Sequence, residues 1–283
     1  MSEPYRVLAT GFHQLALEIT CNNREAASLA EFLFGDFPGG ADAVQVKQYD
    51  IVCAGLQPKL SLWEGEKRLY FGTSSYQLAY TLMNEVIYHC IDTDKSRHAL
   101  HAGGVSRNGI CILLPGTSGS GKSSLSAWLT AHGYHYLSDE LVFLSDDGTI
   151  WPLTRPISLK IDASHFPWLP SEDDCSQAHA IISSQGSMIP HRMLNPHYQT
   201  DRKTVTHFVF PQYKPGARTE LLQISPAKSC LYLMQSHANA RSLGGLGVAE
   251  LSKIVRKCQS YTLTYGSFAE LEPIFFSTHP LSC

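Results

Sequence analysis

Residues 115–124 read PGTSGSGKSS. Within them Gly116, Gly121, Lys122 and Ser123 fit the spacing G-x-x-x-x-G-K-[ST] in full. Bare backbone lets the chain curl until several N–H groups point inward at phosphate oxygens. The run Gly116, Thr117, Ser118, Gly119, Ser120, Gly121, Lys122, Ser123 and Ser124 is therefore the predicted phosphate cradle. A helix beginning at Lys122 would add its positive N-terminal end. The Lys122 ammonium can reach the β- and γ-phosphates, and the Ser123 hydroxyl can ligate Mg2+. The expected ligand is a nucleoside triphosphate, ATP first, with magnesium. Such a loop does not name a reaction, because motors, GTPases and kinases all carry one. Two further features bear on that. Asp139 and Glu140, in SDEL (138–141), follow a strand-like YHYL. One carboxylate could hold the metal while the other takes a proton from an attacking hydroxyl; an exposed acidic turn would read the same. His101, in LHAGG, lies on the segment before the loop strand, and taken alone it reads as structural.

The elements that must position these residues are legible. ICILL (110–114) reads as a buried strand entering the loop, joined to HALHAGGV (98–105) by the turn SRNG. A helix leaves the loop with Leu125, Trp128 and Leu129 on one face, and Gly133 stops it. YHYL (134–137), ELVFL (140–144), TIWPL (149–153) and ISLKI (157–161) read as strands. So do THFVFPQY (206–213) and YTLTYG (261–266), with helices over 226–237 and 248–260. Before residue 96, REAASLAEFLF (24–34) and SSYQLAYTLMNEVIYHCID (74–92) have helical spacing, and 44–55, 59–65 and 68–72 read as strands. The predicted class is α/β (α+β). A small N-terminal α+β domain, residues 1–95, is assigned to substrate or partner binding, and a catalytic domain spans 96–283. Residues 164–204 show no sustained period and read as a long surface segment, a candidate lid carrying His165, His179, His191 and His197. Arg155, Lys160, Arg192, Arg202 and Lys203 are candidate clamps for phosphate or an acidic substrate; solvated surface charge is the plainer reading of each.

Composition removes several classes. The net charge of −3 and a charged fraction of 17% leave no basic footprint for nucleic acid. No apolar run approaches the ~20 residues of a membrane span. The start, MSEPYRVLATGF, has no secretory pattern, so a cytoplasmic protein is expected. None of the eight cysteines forms C-x-x-C, which fits free thiols in a reducing compartment.

Residues 101–144, HAGGV…GICILLPGTSGSGKSSLSAWLTAHGYHYLSDELVFL, resemble the catalytic core of the HPr kinase/phosphorylase family. The order of histidine element, strand, loop, helix, glycine and acidic pair is similar. Residues 207–234 look like the HPr-kinase-related proteins, some of which accompany peptide-modification genes. The resemblance implies a nucleotide-binding core like that of PEP carboxykinase. It implies His101 as the active-site histidine, Asp139 as the base, Glu140 as the second acidic residue and Ser123 as the metal-ligating hydroxyl; Glu140 is a candidate both for catalysis and for the metal. By analogy it implies an oligomer. Two departures count against the phosphorylase reaction and against HPr itself as a partner. Ser124 stands where the regulators carry Glu, and their Arg-Gly-Leu-Gly-Ile signature is missing; RPISLK (155–160) lies roughly there and LGGLG (243–247) is too late. The expected reaction is ATP-dependent phosphorylation of a hydroxyl, a serine of a peptide or protein first. A small-molecule alcohol kinase and a non-catalytic nucleotide-binding regulator are the alternatives.

Overall fold

The computed structural model describes residues 5–37, 39–40, 42–55, 59–160, 166, 168–169, 180–198, 201–277 and 281. The fold is α/β, and it divides into two compact units. The first comprises Met1–Asp94 and Thr154–Met193, the second Lys95–Leu153 and Leu194–Cys283. The expected uninterrupted domain over 96–283 therefore differs from the observed division, because the described residues between 154 and 193 group with the N-terminal segment.

In the first unit, strands β1 (Arg6–Phe12), β2 (Leu15–Cys21), β3 (Gln45–Ala54), β4 (Lys59–Glu64) and β5 (Lys67–Gly72) form a sheet in that order. Only the β2–β3 pairing is parallel, and helix α1 (Arg24–Phe34) makes that crossover. Asn23 caps α1 by accepting from the Ala26 N–H at 2.9 Å, and Ser74 caps α2 (Ser75–Thr93) by accepting from Gln77 N–H. Alternate residues of β2, from Leu15 through Leu17 and Ile19 to Cys21, are buried. That period of two in LALEITC is the signature of a half-buried strand, and β1 pairs with it along its whole length.

The stretch expected to be a long surface lid contains regular structure. Its strands β13 (Ile181–Ser183) and β14 (Gly186–Ile189) join the preceding β12 (Ile157–Leu159) in a three-stranded antiparallel sheet in the order β12-β14-β13. All four residues of β14 are buried. A short helix, His191–Leu194, follows. The expected lid residues His165 and His179 lie outside the described residues.

The second unit holds two sheets. One is six-stranded, in the order β17 (Glu220–Gln223), β18 (Gln259–Tyr265), β16 (His207–Tyr213), β8 (Ile110–Pro115), β7 (Ala102–Arg107) and β9 (His135–Ser138). β8, β16 and β18 are parallel; β7 is antiparallel to both β8 and β9, so β9 runs the same way as β8. The β7–β8 hairpin turns on Asn108 and Gly109, both at positive φ (49° and 79°), as a tight turn of this hand requires. The other sheet has the order β15 (Lys203–Thr204), β11 (Thr149–Trp151), β10 (Val142–Leu144) and β6 (His98–Leu100). Leu100, Leu113, Val142, Leu144, Phe208, Leu251 and Ile254 belong to one buried cluster. Helices Pro226–Gln235 and Val248–Val255 contribute to it; the second ends at Val255 because the chain enters β18 at Gln259.

HALHAGGV, expected as a single strand, is two. β6 ends at Leu100 in one sheet and β7 begins at Ala102 in the other, so the chain changes sheets at His101. The chain changes back between β9 and β10, across Asp139, Glu140 and Leu141. The helix leaving the glycine loop, α3 (Lys122–Ala131), packs so closely on β7 that a Cβ at Gly103 would lie 2.3 Å from Ser126 Oγ. Gly103→Ala is expected to cost about 1–3 kcal/mol through that overlap. Adding Ser126→Ala should return part of the loss. Denaturant unfolding of the two single variants and the double variant checks this; simple additivity would contradict the close approach.

Candidate active site

The glycine loop joins β8 to α3 as expected. Thr117, Ser118 and Gly119 are exposed, so its mouth is open. Gly119 and Gly121 adopt left-handed backbone, φ 84° and 94°, and Gly121 caps α3 without any side-chain bond. The first helix bond runs from Leu125 N–H to Gly121 C=O, so the amides of the preceding turn have no helical acceptor. Lys122 is mostly buried and curls back over the loop, its Nζ donating to Thr117 C=O at 3.1 Å. Ser123 lies one residue further into the first turn and is half-buried, as is Ser124. Trp128, two turns on, anchors the helix against Phe268, Phe275, Phe276 and His132.

The two changes of sheet meet beside the start of this loop. Ala102 N–H donates to Glu140 C=O at 3.2 Å, and Gly116 N–H donates to His101 C=O at 3.5 Å. His101 N–H is taken by Ser236 C=O at 2.7 Å. His101 Nε2 lies 2.9 Å from Glu140 Oε1, and both side chains keep about a third of their surface in solvent, 33% and 39%. Asp139 is different. It is fully buried and accepts from the Tyr136 hydroxyl at 3.0 Å. Ser138 braces the acidic turn, its Oγ donating to Leu141 C=O at 2.6 Å.

The fold thus brings His101, Glu140 and the head of the glycine loop together. The far end of the loop is held by residues that motif reading missed. Tyr213 N–H donates to Ser120 C=O at 3.0 Å, and the Tyr265 hydroxyl donates to Gly121 C=O at 3.2 Å. Both tyrosines end strands more than ninety residues downstream, and no local signal marks them. Arg192 and His191 both pair with Asp36 in the first unit. Arg155 is buried in that unit, and Lys160 is exposed. Arg202 lies over the Trp151 ring, and Lys203 belongs to β15. The His197 carbonyl accepts from His135 Nδ1 at 2.6 Å. In the first unit Glu64, Glu85 and His89 bring donor atoms within 4.8 Å of one another, but Lys47 Nζ already balances Glu64 Oε1 at 3.0 Å.

No family model matches the sequence, and no curated protein matches it. Among solved structures, the HPr(Ser) kinase/phosphatase from Coxiella burnetii is similar at 11% identity and a TM-score of 0.31. That likeness covers 60% of this chain and 87% of the other. At that level it assigns neither activity nor substrate. No helix among the described residues is long and apolar enough to cross a membrane.

The segment that takes the His101 amide continues into His237, whose ring packs on His98 at 5.1 Å between centroids. Burial first, and the neighbouring His98 second, push His237 down from 6.5 to about 4, against the side-chain hydrogen bond to Asn239 that favours the protonated ring. Burial also lowers His98, against the pull of Asp146 and Glu250. Between pH 6.5 and about 4 the unfolded chain therefore binds protons that the folded chain refuses. Stability contributed by the neutral pair is complete above 6.5 and is lost as pH falls toward 4. Melting temperature should drop from pH 7 to pH 5, and His237→Gln should flatten that slope. An unchanged slope in the variant would refute the assignment.

Proposed function

We propose that the second unit is an ATP-dependent kinase that transfers the terminal phosphoryl group to a hydroxyl, a serine of a peptide or protein being the first acceptor to test. One observation carries the reading: the solvent-accessible His101–Glu140 pair, 2.9 Å apart, is tied through the His101 carbonyl to the first glycine of a phosphate-type loop. A loop alone suits any nucleotide protein. A loop with a proton-accepting pair at its head suits transfer to a hydroxyl.

The chain's own groups have distinct tasks. The loop amides, the N-terminus of α3 and Lys122 neutralise and orient the phosphates. With His101 Nε2–H donating to Glu140 Oε1, the Nδ1 lone pair is left to receive the acceptor's proton, and Glu140 stabilises the imidazolium that results. The oxygen donors at the site suit magnesium. Ser123 and one carboxylate of the Asp139–Glu140 pair would hold it, and when bound it would neutralise charge on the phosphate oxygens. Because phosphoryl transfer runs mainly on positioning and charge neutralisation, these groups suffice in kind.

Incubation with γ-labelled ATP and serine-containing peptides, cell extract or small alcohols tests the reaction. Label on an acceptor hydroxyl supports a kinase, and its identity chooses between peptide and small molecule. Label released only to water, or bound ATP left intact, would refute transfer. Lys122→Ala should abolish labelling while the protein still melts cooperatively.

The acidic pair is separated by its variants. Glu140→Gln should slow transfer by about 10²–10⁴-fold with ATP affinity retained. Asp139→Asn should instead raise the magnesium concentration needed for half-maximal rate. If Asp139→Asn slows transfer at an unchanged magnesium requirement, the proton acceptor is Asp139, and the role given to the exposed pair is wrong.

A further inference from the structure

The strand order gives the phosphate loop two flanks. β8 delivers the loop, with β7 on one side and β16 on the other. At the carboxyl end of β8, the β7 flank presents His101 and Glu140, because Ala102 is paired with Pro115. β16 runs parallel to β8, so its carboxyl end, Tyr213, lies at the same edge of the sheet. Ligands of open α/β sheets gather at the carboxyl ends of parallel strands. The reacting end of a nucleotide belongs beside the proton-accepting pair. Its nucleoside end then falls on the opposite flank.

Tyr213 is placed for that end. Its N–H holds Ser120 C=O, and a Cβ at Gly121 would lie 3.0 Å from Tyr213 Cβ, so the residue touches the loop. Yet the residue is 44% exposed. One part of the ring is supported by Tyr265, with centroids 5.4 Å apart and planes at 58°. The backbone beneath it is fixed by the Ser120 bond and by Lys214 N–H donating to Tyr265 C=O at 2.9 Å. Tyr265 is itself fully buried, with its hydroxyl committed to Gly121. An exposed tyrosine on a backbone locked to a phosphate loop is a stacking platform.

We infer that Tyr213 stacks on the nucleobase of the bound nucleotide, setting the triphosphate across the glycine loop toward His101 and Glu140; this rests on the nucleotide reading of that loop. Every base has a π-face, so the platform favours nucleotides over bare polyphosphate without choosing adenine over guanine.

The experiment compares magnesium-ATP and magnesium-tripolyphosphate binding by calorimetry in the wild-type protein, Tyr213→Ala and Tyr213→Phe. Tripolyphosphate reports the loop alone and serves as the check that the variant is folded there. Tyr213→Ala should weaken ATP roughly ten-fold or more and leave tripolyphosphate unchanged, and Tyr213→Phe should keep the ATP advantage. Equal affinity for ATP in wild type and Tyr213→Ala overturns the platform while the phosphate site stands. Parallel loss of both ligands in Tyr213→Ala assigns Tyr213 to loop geometry and also overturns it. A wild-type protein that binds neither ligand defeats the nucleotide reading itself.

Discussion

The site depends on one constraint: the chain must change sheets twice at the same place. β6 and β10 pair in one sheet, β7 and β9 pair in the other, and the links between them cross side by side. Ala102 N–H to Glu140 C=O ties the crossings together. At a crossing, backbone groups leave one ladder before joining the next, so their partners must be found individually. His101 satisfies its N–H with Ser236 and its C=O with Gly116. A peptide with neighbours on both sides has little freedom, and the side chain it carries is aimed by the main chain.

The same reasoning explains the loop. Its first glycine is held from the β7 side, and its last residues from β16 and β18. A loop rich in glycine is costly to order, because glycine loses the most freedom on folding. Here three strands of the sheet supply the ordering. A cradle held from both flanks is preorganised, which is how a site spends little of its binding energy on its own rearrangement. The dense contact between β7 and α3 at Gly103 and Ser126 has the same effect on the helix that leaves the loop.

Burial sorts the two adjacent acids into different environments. Asp139 and Glu140 are neighbours in sequence, but the change of sheet turns one inward onto the Tyr136 hydroxyl and the other outward onto His101. A buried carboxylate needs donors to offset lost solvation, whereas an exposed one can exchange protons with an incoming group. Two residues of similar chemistry thereby become candidates for different work.

The glycine loop, its flanking strand and helix, α1 from Arg24 to Phe34 and the cap at Ser74 were all legible in the sequence, because each is a local pattern: turn chemistry, a 3.6-residue period or a capping side chain. β2 carries a clear period of two, whereas the 180–194 stretch holds two strands of three and four residues, too short to show a period. The split of HALHAGGV at His101 was not legible, since a strand that changes sheets keeps the same alternation through the crossing. Nor could spacing reveal that the described residues between 154 and 193 group with the N-terminal segment, or that Tyr213 and Tyr265 close the far side of the loop. Sequence determines what the backbone does over a few residues, through sterics and local hydrogen bonds. Which distant strand ends share an edge, and which of two adjacent acids faces water, is decided by sheet order and burial, and these arise only when the whole core is packed.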